Sequence, residues 1–155
     1  MTPARRSAPA LFRLLALAAA LCGAAVAHAD AYGDVNQLLK TGKGADALQA
    51  ANKYLAEKPK DPQMRFLKGV IQTQAGSTAE AIATFQALTQ DYPELPEPYN
   101  NLAALYASQN ELDKARTALE MAVRMNPSYA IAHENLGDIY ARMAGQSYGR
   151  ALQLE

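Results

Sequence analysis

Tryptophan is absent from this 155-residue chain, and histidine and cysteine are scarce. The single cysteine is Cys22, so no disulfide can form within the chain. One of the two histidines, His28, lies close to the N-terminus, which leaves His133 for the rest of the chain. One histidine cannot supply a zinc site by itself, and no glycine-rich phosphate-binding loop occurs. We therefore predict no catalytic residues, no metal site and no cofactor, and we expect that the protein is not an enzyme.

A strong positive charge is also missing, since 15 basic residues are balanced by 15 acidic residues. The balance becomes acidic if the N-terminal segment is removed, because Arg5, Arg6 and Arg13 leave with it and 12 basic residues remain. Domains that bind nucleic acid carry a basic stripe. A mildly acidic chain without candidate catalytic groups therefore predicts neither nucleic acid nor a small-molecule substrate as its partner.

The N-terminus has the three parts of a secretory signal peptide. Three arginines precede an apolar run over residues 14–27, and Ala27-His28-Ala29 supplies the small residues that typically precede a cleavage site. The apolar run is too short for a comfortable membrane span. We expect cleavage after Ala29, so that residues 1–29 are a signal peptide and the mature protein is periplasmic or otherwise exported.

Two alternatives would attach the protein to a membrane. An uncleaved signal would act as an N-terminal anchor. A lipid on Cys22 would also anchor the chain, but a lipid-attachment cysteine normally follows a small residue and Leu21 precedes this one. Contact with a membrane is therefore expected only if the signal is uncleaved or Cys22 is lipidated.

The rest of the chain repeats itself every 34 residues. Three sets of residues share this period and the same phase: Pro59, Pro93 and Pro127; Ala47, Ala81 and Ala115; Gly42, Gly76 and Asn110. Self-similarity at this spacing is typical of arrays in which pairs of helices stack on one another. The repeat predicts four units, at about residues 30–61, 62–95, 96–129 and 130–155, in one domain over residues 30–155.

The third unit shows the pattern most clearly, and it resembles a tetratricopeptide repeat. The features it shares with that family are a first-helix stripe, a turn residue and a second-helix stripe ending at proline: Tyr99, Leu102, Ala103 and Tyr106; Asn110; Ala115, Leu119, Ala122 and Pro127. The match is incomplete, because Tyr99 replaces the family's usual tryptophan and Lys68 stands where leucine is usual in the second unit. The resemblance implies an all-α solenoid of stacked antiparallel helix pairs.

The resemblance also assigns packing roles. Small residues at Gly69, Ala103 and Gly137 would let the two helices of a unit approach closely, and His133 would occupy the packing position of Tyr99. The last unit lacks a turn, so we predict one long C-terminal helix from Ala130 to about Leu154 that caps the array. These residues are structural, and the resemblance implies no catalytic role for them.

In this family the first helices of the units line a concave groove, and we expect binding there. Projection of the packing stripe onto that side gives nine candidates for binding a protein or peptide partner: Phe66, Val70, Glu97, Asn100, Asn101, Glu134, Asn135, Asp138 and Arg142. An asparagine amide can both donate to and accept from a peptide backbone. Asn101 and Asn135 repeat the 34-residue step, although asparagine is also simply frequent in this repeat.

The charges of these candidates indicate which partners would fit. Some family members hold a terminal carboxylate with lysine and arginine, whereas here the matching surface carries Glu97, Glu134 and Asp138 with Arg142 as its cation. A neutral or basic segment suits such a surface better. We expect an exported, non-catalytic scaffold or adaptor. The alternative is a structural subunit of a larger envelope or secretion complex that uses edge or convex surfaces.

Overall fold

The computed structural model describes residues 31–154, all of whose regular structure is helical. The predicted signal peptide lies outside the described residues. The seven helices of the described part are α1 (residues 31–40), α2 (Gly44–Glu57), α3 (Pro62–Gln74), α4 (Thr78–Asp91), α5 (Pro96–Ser108), α6 (Leu112–Met125) and α7 (Ala130–Leu152). Over residues 31–154, no helix combines the length and the hydropathy that a membrane span needs.

The three turn residues of the 34-residue ladder end the first helix of each pair. Gly42, Gly76 and Asn110 all have a left-handed backbone, with φ of 75°, 73° and 61°. Glycine adopts this conformation without steric cost, and asparagine tolerates it better than most residues. At each turn the next N–H donates to the carbonyl five residues before it, Lys43 to Leu38, Ser77 to Gln72 and Glu111 to Tyr106. This pattern satisfies a helix-end carbonyl and reverses the chain into the second helix.

The ladder prolines mark the ends of the second helices. Lys58, Tyr92 and Asn126, which directly precede the three prolines, have left the helical region, with φ between −132° and −138°. A proline disfavours helical backbone in the residue before it, because its ring clashes with that residue. The same exit geometry therefore recurs at each unit and stacks the next first helix on the array.

The helices of a pair approach most closely at Gly69. A Cβ placed on Gly69 would lie 2.6 Å from the nearest ring carbon of Phe85, which is completely buried. The third unit uses Ala103 with the smaller Leu119, and both are buried in the same core. The prediction that small residues allow close approach is confirmed for Gly69 and Ala103.

The packing roles predicted for Gly137 and His133 are wrong. A Cβ on Gly137 would meet no heavy atom within 4 Å, and His133 is exposed, with its Nε2 3.0 Å from the carbonyl oxygen of Pro127. Both predictions assumed a second helix that folds back over the first. Instead α7 runs on as one helix to Leu152, so this face of its first half has no cover. The long C-terminal helix itself is confirmed.

A polar cluster ties the first three helices together around Asp61. The Tyr32 hydroxyl donates to Asp61 Oδ2 at 2.6 Å, and Tyr54 donates to the same oxygen at 3.3 Å. The other carboxylate oxygen accepts from the Met64 N–H at 2.8 Å, which caps α3. Burial disfavours the charged carboxylate, but the hydrogen bonds from Tyr32 and the Met64 N–H outweigh it and lower the pKa of Asp61. The ionised carboxylate therefore stabilises the fold.

We expect Asp61→Ala to lower the free energy of unfolding by about 1–2 kcal/mol at neutral pH, because the α3 cap is lost. The folded pKa is depressed, so the stabilisation is complete above the unfolded pKa and disappears as the pH falls through the folded pKa. Urea titrations at several pH values should show the difference between variant and parent shrinking below about pH 4. A difference that does not depend on pH would contradict the role of the ionised carboxylate.

Candidate peptide-binding groove

The first helices α3, α5 and α7 lie side by side in one layer, and side chains join them. The Asn135 amide of α7 donates to Asn100 Oδ1 of α5 at 2.8 Å. One turn and more along the same pair of helices, Arg142 Nη2 donates to the carbonyl oxygen of Ala107 at 3.1 Å. These contacts define one continuous surface, which we call the groove and which contains the nine predicted candidates.

The nine candidates divide by exposure. The exposed members are Glu97, Glu134, Asp138 and Arg142. The half-buried members are Phe66, Val70, Asn100, Asn101 and Asn135. The charged side chains therefore form the accessible rim of the groove, and the apolar and amide side chains form its floor.

An apolar recess lies between the start of α3 and the start of α5. Its volume is about 240 Å³, and its lining is Pro62, Gln63, Phe66, Leu95, Glu97 and Pro98. The Phe66 ring also packs against buried Phe85, with ring centroids 5.6 Å apart and planes at 60°. Phe66 is thus held by the core on one side and open to the recess on the other, while Val70 packs against the core.

A second recess, the polar recess, lies between α5 and α7. Its volume is about 220 Å³, and its lining is Ala103, Ala104, Ala107, Leu119, Asn135, Asp138, Ile139 and Arg142. Alanines form its wall on α5, so the backbone of α5 is accessible there. The Asp138 carboxylate and the Arg142 guanidinium bring opposite charges to its rim.

The asparagine amides are engaged differently from each other. Asn101 Nδ2 donates to the carbonyl oxygen of Glu97, one turn back in its own helix, at 2.9 Å. Asn135 instead reaches across to Asn100, so the contact between helices joins residues 35 apart rather than 34. Each amide uses one donor in these bonds and retains an oxygen acceptor, so the pair is held in place and can still accept from a backbone N–H.

Sequence reasoning missed the walls of the two recesses. Leu95 and Pro98 flank the start of α5, and Ala107 lies at its far end, yet none of them was a candidate. The available signal was the Leu-Pro-Glu-Pro run over residues 95–98, where prolines suit the first turn of a helix and expose apolar rings. Helical projection does not assign residues that lie at the junction between two helices.

The groove is negatively charged. Glu97, Glu134 and Asp138 are exposed carboxylates, whereas Arg142 also donates a hydrogen bond to the Ala107 carbonyl. Burial and the nearby charge of Glu97 raise the pKa of Tyr129, which places the negative field of Glu97 next to the loop that enters α7. Residues 31–154 hold no group of three or more His, Cys, Asp or Glu side chains able to bind a metal ion.

A further recess lies on the other side of α5, where this helix packs against α6. Its volume is about 380 Å³, and its lining is Tyr99, Tyr106, Asp113, Lys114, Thr117, Ala118 and Met121. Lys114 forms an ion pair with Glu111, and its Nζ lies 5.4 Å from the centre of the Tyr106 ring. This convex recess is the surface that the structural-subunit alternative would use.

Family comparison agrees with the fold. Residues 32–96 match the family described as tetratricopeptide repeat, and residues 105–143 match a second description of the same kind, TPR repeat. Together the two matches cover about two thirds of the 155 residues. The chain belongs to the tetratricopeptide repeat family, and the resemblance noted from its sequence is confirmed.

Among known proteins, the chain is similar to the TPR repeat-containing thioredoxin TTL4 of Arabidopsis thaliana. The identity is 33% over 112 residues, which is 72% of this chain but 16% of that protein. The similarity therefore concerns a repeat segment of a much longer protein.

Two solved structures of complexes show the same fold. The first TPR of Spaghetti (RPAP3) bound to the HSP90 peptide SRMEEVD has a TM-score of 0.68 at 18% identity, covering 72% of this chain and 89% of that one. The type III secretion chaperone SycD of Yersinia enterocolitica, in complex with a peptide of the translocator YopD, has a TM-score of 0.69 at 15% identity, covering 76% and 95%.

Proposed function

We propose that the protein is an exported, non-catalytic scaffold that binds an extended segment of a partner protein in the groove. The observation that carries this proposal is the pair of recesses on the two sides of α5. One accepts an apolar side chain, and the other offers an amide, a carboxylate and a guanidinium. Export rests on the signal-peptide pattern of residues 1–29.

The spacing of the recesses suits an extended chain. Glu97 borders the apolar recess and Ala104 the polar recess, and the helical rise over the residues between them is about 11 Å. A peptide in extended conformation covers that distance with about three to four residues, at about 3.3 Å each. One short segment can therefore place a side chain in each recess while its backbone passes over Asn101.

The two complexes described above support a peptide ligand, because both similar domains bind one. They do not define its sequence. The HSP90 peptide SRMEEVD is acidic, and an acidic segment would meet Glu97, Glu134 and Asp138 in this groove. We therefore propose a neutral or basic segment with an apolar residue for the recess beside Phe66.

Binding should be weakened by changes in the groove that leave the fold intact. Asn101→Ala and Asn135→Ala should each lower the affinity for the identified partner segment by about 0.5–1.5 kcal/mol, the net value of an ordinary hydrogen bond. Arg142→Glu should strengthen the binding of a basic segment and weaken that of an acidic one. Isothermal titration of the partner segment against each purified variant measures these effects.

Thr117→Ala is the matched control for this titration, since Thr117 is exposed on α6 in the convex recess. Its affinity should equal that of the parent. Unchanged affinity in all three groove variants, with a loss in Thr117→Ala, would move the interface to the convex side.

That outcome would favour the structural-subunit alternative, for which the convex recess between α5 and α6 is the specific observation. The two functions also differ in solution. A scaffold should be soluble without its partner, whereas a subunit of a larger complex should need its neighbours to remain soluble. Sedimentation of the purified protein alone distinguishes them.

A further inference from the structure

Helix α7 combines the sequence patterns of a first helix and of a second helix. Its first half, residues 130–143, packs against α6 through buried Ala132 and Ile139, as a first helix does. Its second half repeats the small–large–apolar spacing of the second helices. The stripe is Ala144, Tyr148 and Ala151, which corresponds to Ala81, Phe85 and Leu88 in α4 and to Ala115, Leu119 and Ala122 in α6.

The two halves are joined without a turn. Ala144 comes 29 residues after Ala115 instead of 34, so five residues that would correspond to Asn110–Lys114 are missing. The left-handed turn residue is among them. Since the chain cannot reverse, the second half of α7 cannot fold back on the first half of the same helix.

Both surfaces that would meet in a complete unit are therefore uncovered. Gly137 corresponds to Gly69 and has no heavy atom within 4 Å of where its Cβ would lie. Tyr148 corresponds to Phe85, which fills the space at Gly69, yet Tyr148 is 74% exposed. Over residues 31–154, the exposed large hydrophobic side chains all belong to α7 or the two residues after it: Ile131, Tyr140, Tyr148, Leu152 and Leu154.

We infer that two copies of this chain complete each other's last unit. In this dimer the α7 helices run antiparallel, the second half of each packs on the first half of the other, and Tyr148 of each copy covers Gly137 of the other. The register follows from the contact between Gly69 and Phe85 after the five-residue deletion is taken into account. The arrangement is isologous, because each copy gives and receives the same half-helix.

A second copy fits this surface in sequence, in direction and in charge. The second helix of a pair is antiparallel to the first, which is also the relation between two α7 helices about a two-fold axis. The uncovered stripe of His133, Gly137, Tyr140, Ala144, Tyr148 and Ala151 carries no formal charge at neutral pH with His133 neutral. Two identical stripes can therefore face each other without like-charge repulsion. Exchange of an element between copies is a low-cost route to a dimer when the connection is too short to fold back.

The first test is sedimentation equilibrium of the purified protein and of Gly137→Leu. The parent should show a concentration-dependent equilibrium between monomer and dimer. A leucine at position 137 should weaken the dimer by about tenfold or more, because it occupies the place of the partner's tyrosine. It should not unfold the monomer, since nothing lies near Gly137 in one copy. Gly149→Leu, on the same helix but off the stripe, is the matched control and should dimerise like the parent.

The second test restores the missing turn. A copy of the segment Asn110–Lys114 inserted between Met143 and Ala144 should let the second half of α7 fold back within one chain. The variant should be monomeric and retain its helical content by circular dichroism. Continued dimerisation of this variant would contradict the exchange of half-helices.

Cross-linking tests the register, with Gly137→Cys and Tyr148→Cys prepared separately in a Cys22→Ser background. Oxidation of the mixture should give an interchain disulfide, whereas each variant alone should not. The two copies of position 137 would be about 16 Å apart along the helix axis, too far for a disulfide. A parent that stays monomeric up to millimolar concentration, or a dimer that tolerates Gly137→Leu, would overturn the inference. These outcomes do not depend on whether the groove binds a peptide.

Discussion

Replacing Phe85 by alanine should lower the free energy of unfolding by about 3–5 kcal/mol, the range for removing a large aromatic side chain from a core. Phe85 is completely buried, its ring lies against Gly69, and it also contacts Phe66. The small residue at position 69 provides the space that the ring fills, so alanine would leave a cavity that helices α3 and α4 cannot close. Urea denaturation followed by circular dichroism measures the loss.

The matched comparison uses the third unit as a guide. There alanine and leucine, Ala103 and Leu119, stand where the second unit has Gly69 and Phe85. We expect the double variant Gly69→Ala with Phe85→Leu to be more stable than Phe85→Ala, because this pair packs in the same chain. An exposed control on α4, Gln90→Ala, should change little. A loss for Phe85→Ala no larger than that of the control would contradict the assigned packing.

The second large effect is expected from Ala115→Leu, which should destabilise the fold by about 1–3 kcal/mol through overpacking. Ala115 is completely buried where α6 packs against α5, and no space is available for a larger side chain. Ala104→Leu is the matched control, because Ala104 is exposed in α5. Equal melting temperatures for Ala115→Leu and the parent would contradict the repeat assignment.

Much of the fold can be predicted from sequence because a few residue types have strong local effects. Gly76 and Asn110 share a phase with Gly42, and all three adopt the left-handed backbone that ends a helix. The ladder prolines force the preceding residue out of the helix. These effects act within a few residues and recur every 34, so a single sequence is enough to reveal them.

The last unit was harder to predict, since its packing depends on what is absent. The positions of Gly137 and His133 match the earlier units, but position alone does not show that a covering helix is present. The missing turn before Ala144 predicted the long helix correctly. The consequence for the packing of the residues before it was not drawn from the pattern.

The candidate groove was predictable in outline and not in its contacts. A helical projection places Glu97, Asn101 and Asp138 on one surface, because each position depends on a single helix. The hydrogen bond from Asn135 to Asn100 and the two recesses depend on how neighbouring helices are offset. That offset is set by side-chain packing over the whole array, which periodicity does not encode.

Site-specific photo-cross-linking in the producing cells tests the central claim most directly. A photoreactive residue at Ala104, in the groove, should link the protein to a discrete partner in the envelope fraction. The same residue at Thr117, in the convex recess, should not. The Ala104 adduct should weaken when Asn101→Ala and Asn135→Ala are combined with it. A partner captured from Thr117 and not from Ala104 would contradict groove binding.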